Sequence, residues 1–104
     1  MDAASLPGTV TIAARAYQRI AQAVLAEELR VPPREVRARV RDERGALGLE
    51  LESGIPDDDA SVAIRATDAR ARTAERTAEL TGARVANARL RITHLVSTPH
   101  RRLS

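Results

Sequence analysis

The chain of 104 residues contains no cysteine, lysine, phenylalanine or tryptophan, and Tyr17 is its one aromatic residue. The absence of cysteine excludes disulfide bonds and thiolate metal sites. A single aromatic residue also removes the base-stacking platforms on which single-strand nucleic-acid readers rely. No run of about 18 apolar residues is present, so the sequence predicts no membrane-spanning helix.

All 17 basic residues are arginine, and the formal net charge is +3. Richness in arginine and alanine is typical of GC-rich genomes and does not by itself indicate a function. A net charge of this size permits weak attraction to nucleic acid or anionic lipid without favouring either one. The N-terminal MDAASLPG lacks the basic and apolar regions of a secretory signal, so we expect a cytoplasmic protein.

Hydrophobic periodicity divides the first third of the chain into two elements. Thr9 to Ile12 alternates between apolar and polar residues, which predicts a short strand after the turn Pro7-Gly8. From Ala13 to Leu29 the period becomes helical. Tyr17, Ile20 and Val24 fall on one face of this helix, and Gln18 and Gln22 fall on the other. The sequence Val31-Pro32-Pro33 then predicts the end of the helix.

The stretch EVRARVRDERGALGLELE, residues 35–52, predicts a β-hairpin with its turn within Asp42-Glu43-Arg44-Gly45. One parity of each strand is apolar, as in Val36, Val40 and the three leucines that follow the turn. The other parity is charged, with arginine on the first strand and glutamate on the second. The predicted outward residues are Arg37, Arg39, Arg41, Glu50 and Glu52.

A second helix is predicted from the aspartates 57–59 to about Leu80, and Thr81-Gly82 is the expected stop. We expect the aspartates to cap this helix, although three adjacent carboxylates also allow a hard-cation site. The face predicted to pack on the sheet consists of small residues and one isoleucine. Its members are Ala60, Ala63, Ile64, Thr67, Ala71, Ala74 and Ala78.

The last element, RVANARLRITHLV, is a strand that directs Arg89 and Arg91 outward, and the parity of Val85 predicts either a bulge or a late strand start near Ala86-Asn87. The predicted order is therefore β-α-β-β-α-β. It gives a two-layer α+β fold with one sheet and both helices on one face. The domain spans residues 8–96, between a flexible N-terminus at 1–7 and a disordered tail at 97–104.

No catalytic constellation is evident, so an enzyme, a metal site and a bound cofactor are not expected. His100 lies in the tail, and His94 has no motif that links it to a nucleophile, so we expect a surface or structural histidine. The motif Gly45-Ala46-Leu47-Gly48 matches the G-x-x-G of KH modules. Its position in a hairpin argues that the match is accidental.

The charged outer face is the informative feature, because neighbouring arginine and glutamate strands neutralise each other in part. Arg70 projects from the small-residue face of the second helix. It either extends past the helix to water or an acid, or belongs to an interface. The candidate interaction surface consists of Arg37, Arg39, Arg41, Glu50, Glu52, Arg70, Arg89 and Arg91.

The succession GTVTI, AYQRIAQAVLAEE, a paired-strand segment and ERTAELTGARVANARLRITHLV resembles the alkaline shock protein family of envelope stress response proteins. The resemblance extends from Gly8 to Val96. It is best at Thr81-Gly82, Val85 and the alternating Ala88, Leu90 and Ile92. The chain departs from the family at the exit from the first helix, where Leu29 to Pro33 replaces a short glycine-containing turn.

The resemblance implies a non-enzymatic protein of Gram-positive bacteria that acts in cell envelope homeostasis through protein–protein interaction. Some members of the family are held at the inner face of the cell membrane by a membrane-anchored partner, and some self-assemble. A small basic nucleic-acid-binding α+β module is the alternative, disfavoured by the local charge neutralisation. The partner, the inducing stress and the oligomeric state are not determined by the sequence.

Overall fold

In the computed structural model, which describes residues 7–57 and 61–97, the element order is α-β-β-α-β. Helix α1 spans Pro7–Leu29, and a short 3-10 turn at Pro33–Glu35 precedes the first strand. The remaining elements are β1 Val36–Glu43, β2 Ala46–Pro56, α2 Val62–Thr81 and β3 Val85–Val96. The predicted α+β class is confirmed.

The described strands form one mixed sheet in the order β1-β2-β3. Strands β1 and β2 pair antiparallel, whereas β2 and β3 pair parallel. A parallel neighbour requires a crossover connection, which α2 supplies. The central strand β2 is therefore flanked by β1 on one side and β3 on the other.

The predicted strand at Thr9–Ile12 is wrong, because α1 already begins at Pro7. A strand needs a neighbour to pair its backbone N–H and C=O groups, whereas a helix pairs them internally. Proline suits the first helical turn, and the alanine-rich sequence beyond Ala13 continues the helix. The side chains of residues 7–12, and with them the predicted alternation of Val10 and Ile12, lie outside the described part of the structure.

One hydrophobic core joins both helices to the inward side chains of the strands. Helix α1 contributes Leu25 and Leu29, helix α2 contributes Ala69, and β2 contributes Leu49 and Leu51. These five residues are all buried, which confirms the predicted inward parity of the leucines on β2. The charged parity of the strands therefore lies on the opposite face of the sheet, called the outer face below.

Two glutamines of α1 cover the free edge of β1, although the sequence placed them on the solvent side. The Gln22 side-chain amide donates to the carbonyls of Pro33 (2.9 Å) and Val36 (3.1 Å). The Val40 N–H donates to the Gln18 side-chain oxygen at 3.3 Å. Helix α1 is thus held against this edge by polar contacts as well as by the core.

Both helix stops follow the sequence prediction, whereas the hairpin turn is shorter than predicted, because Asp42 and Glu43 pair within β1. Arg44 and Gly45 both have positive φ, 57° and 88°. That pattern is typical of the two-residue type I′ turn and matches the twist of the strands. Helix α1 ends at Leu29 ahead of the two prolines. Helix α2 ends with Gly82 in the left-handed conformation, and the Gly82 N–H donates to the Ala78 carbonyl at 2.9 Å.

Helix α2 is rotated relative to the prediction. Its buried residues are Ala69, Thr73 and Thr77. The face that was predicted to pack on the sheet is largely open, because four of its residues are exposed. These are Ala63, Ile64, Thr67 and Ala71. Alanine occurs all around this helix, so its apolar pattern did not define a single face.

An ion-pair cluster joins the two helices. Arg76 contacts Glu27 Oε1 at 2.8 Å and Glu28 Oε2 at 3.0 Å on α1. The hydrogen bond that Arg76 donates to Glu27, and next the one it donates to Glu28, raises the pKa of the Arg76 guanidinium above its ordinary value. Arg76 therefore stays charged and bridges the two helices.

The predicted aspartate cap is also wrong, because α2 begins after Ser61. The Ser61 hydroxyl accepts from the Ile64 N–H at 3.3 Å, as an N-cap residue does. Asp57 is exposed ahead of the helix. Asp58, Asp59 and Ala60 lie outside the described residues, as do residues 1–6 and 98–104, on which the predicted termini and His100 fall.

Candidate interaction surface

Strand pairing arranges the outer face as an acidic column between two basic columns. Glu50 of β2 pairs with Arg39 of β1 on one side and with Arg89 of β3 on the other. Two residues further along β2, Glu52 pairs with Arg37 of β1 and Arg91 of β3. The sequence predicted the arginine–glutamate neighbours of the hairpin, and the structure adds the second basic column directly beside the glutamates.

Only part of this charge is paired. Arg41 contacts Glu43 Oε2 at 3.1 Å and Glu50 Oε2 at 3.2 Å. Arg91 lies 3.8 Å from Glu52 Oε2, at the long limit of an ion pair. Each glutamate of the central column therefore contacts one arginine. Glu50 contacts Arg41 of the β1 column, and Glu52 contacts Arg91 of the β3 column.

Arg37, Arg39 and Arg89 form no ion pair within the described part of the chain. All three are exposed. Their direct cross-strand neighbours are glutamates that contact Arg41 and Arg91 instead. The outer face therefore keeps uncompensated positive charge at these three positions.

Arg70 reaches the same surface from α2. Its guanidinium Nη1 donates to the Ala88 carbonyl on β3 at 3.5 Å, a long hydrogen bond, and the residue is half-buried. The side chain thus extends past the helix, as the first of the two sequence alternatives predicts. Its partner is a backbone carbonyl on β3, whereas the sequence suggested water or an acid.

These residues line a shallow groove of about 860 Å³ on the outer face. Its charged lining contains five arginines and two glutamates: Arg37, Arg39, Arg70, Arg89, Arg91, Glu50 and Glu52. The structure brings seven of the eight predicted surface residues into this groove. The eighth, Arg41, lies at its end in contact with Glu50.

Two glycines of β2 leave space on the outer face, and side chains of the neighbouring strands occupy this space. A Cβ at Gly48 would lie 2.8 Å from Glu43 Cγ, and a Cβ at Gly54 would lie 2.8 Å from His94 Nε2. Gly48 therefore faces outward from β2, as predicted. This second glycine of the G-x-x-G match lies within a strand. Gly45 serves the turn.

The predicted bulge in β3 is confirmed, and a second one follows it. The register skips Ala86 between Val85 and Asn87, and it skips Thr93 between Ile92 and His94. The second bulge changes the parity of the strand and so brings His94 onto the outer face beside Gly54. The sequence carried no signal for this second irregularity.

His94 connects the end of β3 to the start of β1. Its Nε2 lies 2.9 Å from Glu35 Oε1, and its Nδ1 lies 2.8 Å from the Thr93 hydroxyl. The Thr93 hydroxyl also lies 3.4 Å from the Ser53 carbonyl. A hydroxyl, an imidazole and a carboxylate are thus joined in a chain, but its contacts tie β3 to β2 and to the turn before β1. We interpret it as a structural link.

Among the described residues, no group of three or more histidine and acidic side chains is placed to hold a metal ion. Two of the three aspartates of the hard-cation alternative lie outside these residues. Within the same ranges, no helix is both long enough and apolar enough to cross a membrane.

No protein-family model, curated protein or solved structure matches this chain. The resemblance to the alkaline shock protein family therefore stays a prediction. The site geometry and the sequence together carry the functional proposal that follows.

Proposed function

We infer that the protein is a non-enzymatic interaction module whose outer sheet face contacts a protein partner. The observation that carries this proposal is the unpaired positive charge of Arg37, Arg39 and Arg89 in an open groove. Exposed guanidiniums that are not used within the fold are available to carboxylates of a partner, with which they form strong paired hydrogen bonds.

The resemblance supplies the biological setting of the proposal. A protein of the alkaline shock type acts in envelope homeostasis and is recruited to the inner face of the cell membrane by an anchored partner. The groove supports recruitment by protein contact, because its charges are placed on a rigid sheet. Self-assembly of the chain is a further property that the resemblance implies.

The test is partner recovery with an outer-face variant. We expect the triple variant Arg37→Gln, Arg39→Gln and Arg41→Gln to stay folded by circular dichroism, because all three side chains are exposed. Co-purification from cells should then lose the membrane-anchored partner, and a tagged variant should leave the cell periphery.

Unchanged recovery of the partner would show that this face is only solvated. A wild-type protein that is diffuse in stressed and unstressed cells would contradict the recruitment itself.

A nucleic-acid-binding module is the second candidate, favoured by the five arginines of the groove. Its affinity would fall steeply with salt, because each arginine–phosphate contact releases counterions. The acidic column through the middle of the groove works against it, since Glu50 and Glu52 repel phosphate. Absence of a gel shift at low salt would exclude this candidate.

A further inference from the structure

We propose that the groove binds an extended acidic segment of a partner protein, laid along β2 between the two arginine columns. This inference rests on the proposed function and specifies the chemistry of the partner. It follows from the spacing of the columns, from the hydrogen-bonding capacity of the glutamates between them and from the side-chain contacts already made along both edges of the sheet.

The spacing of the arginines matches an extended chain. Neighbouring strands lie about 4.8 Å apart, so the columns on β1 and β3 are separated by about 10 Å across β2. Within a column, Arg37 and Arg39 are two residues apart, or about 7 Å. An extended peptide directs successive side chains alternately to its two sides with the same repeat. Consecutive acidic residues would therefore reach the β1 and β3 columns in turn.

The acidic column distinguishes a peptide from a nucleic acid. Glu50 and Glu52 are half-buried and lie beneath the path between the arginines. A peptide backbone carries N–H donors that carboxylates accept. A phosphodiester backbone offers negative oxygen atoms at the same place. The pattern of positive, negative and positive columns thus complements a chain with acidic side chains and a donating backbone.

Side-chain contacts along both edges of the sheet favour docking of the partner on the outer face. Gln18 and Gln22 already bond the edge of β1 at Val40 and Val36. On the other side, Arg70 contacts the β3 edge at Ala88. Addition of a partner strand to either edge would displace these contacts, whereas docking on the outer face keeps them.

The experiment measures fluorescence anisotropy of a labelled peptide of consecutive glutamates with blocked ends. We expect it to bind the whole protein at low salt, and the glutamine version of the peptide to show no binding. The double variant Arg37→Gln and Arg39→Gln should weaken binding about tenfold or more, because it removes two charge-assisted contacts. A single-stranded thymidine oligonucleotide of equal net charge should bind more weakly than the peptide.

The matched control is the double variant Arg19→Gln and Arg72→Gln, which removes the same charge from exposed positions on the helices. It should change the affinity by no more than about twofold, as expected for distant screened charges. An equal loss in both double variants would overturn the proposal, since binding would then follow net charge alone. An oligonucleotide that binds as tightly as the peptide would also overturn it.

The proposed function and this inference fail in different ways. Partner recovery that depends on the arginines, without binding of the acidic peptide, would reject the acidic segment and leave the interaction module standing. Peptide binding in a protein that recovers no partner would reject the interaction module.

Discussion

At the scale of single residues, two buried threonines of α2 leave hydrogen-bonding capacity unused. Thr73 and Thr77 are fully buried, and neither hydroxyl has a partner among the described residues. Valine keeps the branched shape without the hydroxyl, and its helix propensity is similar. An unpaired buried polar group costs about 1–3 kcal/mol. We expect Thr73→Val and Thr77→Val each to raise the free energy of unfolding by about 1 kcal/mol in urea denaturation.

Thr67 provides the control for this prediction, because it is an exposed threonine of the same helix. Thr67→Val should change the free energy of unfolding by less than about 0.5 kcal/mol. A destabilised Thr73→Val or Thr77→Val variant would show that the hydroxyls are satisfied in solution.

At the scale of elements, Arg76 is the ion-pairing link between α2 and α1. Its contacts with Glu27 and Glu28 join the two helices directly. Arg76→Gln removes both ion pairs, so we expect a lower melting temperature by circular dichroism. Arg72→Gln, an exposed position one turn earlier, should leave the melting temperature unchanged. Equal melting temperatures for the two variants would mean that the bridge contributes nothing to the packing of the helices.

At the scale of the whole molecule, the sheet order makes the glutamates of β2 central. Glu50 and Glu52 each have an arginine neighbour on both sides. Opposite charges on neighbouring strands contribute roughly 0.2–1 kcal/mol per pair. We expect the double variant Glu50→Gln and Glu52→Gln to lower the free energy of unfolding by about 1 kcal/mol at low salt. This loss should shrink at high salt, where exposed charges are screened.

The double variant Glu75→Gln and Glu79→Gln is the matched control, since both residues are exposed on α2. It removes the same charge without touching the sheet. A control that loses as much stability as the outer-face variant would assign the effect to net charge, and the charge columns would then have no specific role.

Sequence alone determined the features that depend on neighbouring residues. The stops of α1 and α2, a hairpin turn within Asp42–Gly45 and an irregularity near Ala86-Asn87 follow from proline, glycine and side-chain parity, which act within a few residues. For the same reason the arginines of β1 and β3 could be assigned to the outer face. Seven of the eight predicted surface residues consequently meet in one groove.

Tertiary structure decided everything that depends on distant parts of the chain. Thr9–Ile12 is helical, and α2 lies with Ala69, Thr73 and Thr77 buried while Arg76 contacts two glutamates of α1. The parallel pairing of β3 with β2 places the second arginine column beside Glu50 and Glu52. Local patterns leave such arrangements open, because strand order and helix rotation are set by contacts between elements far apart in sequence.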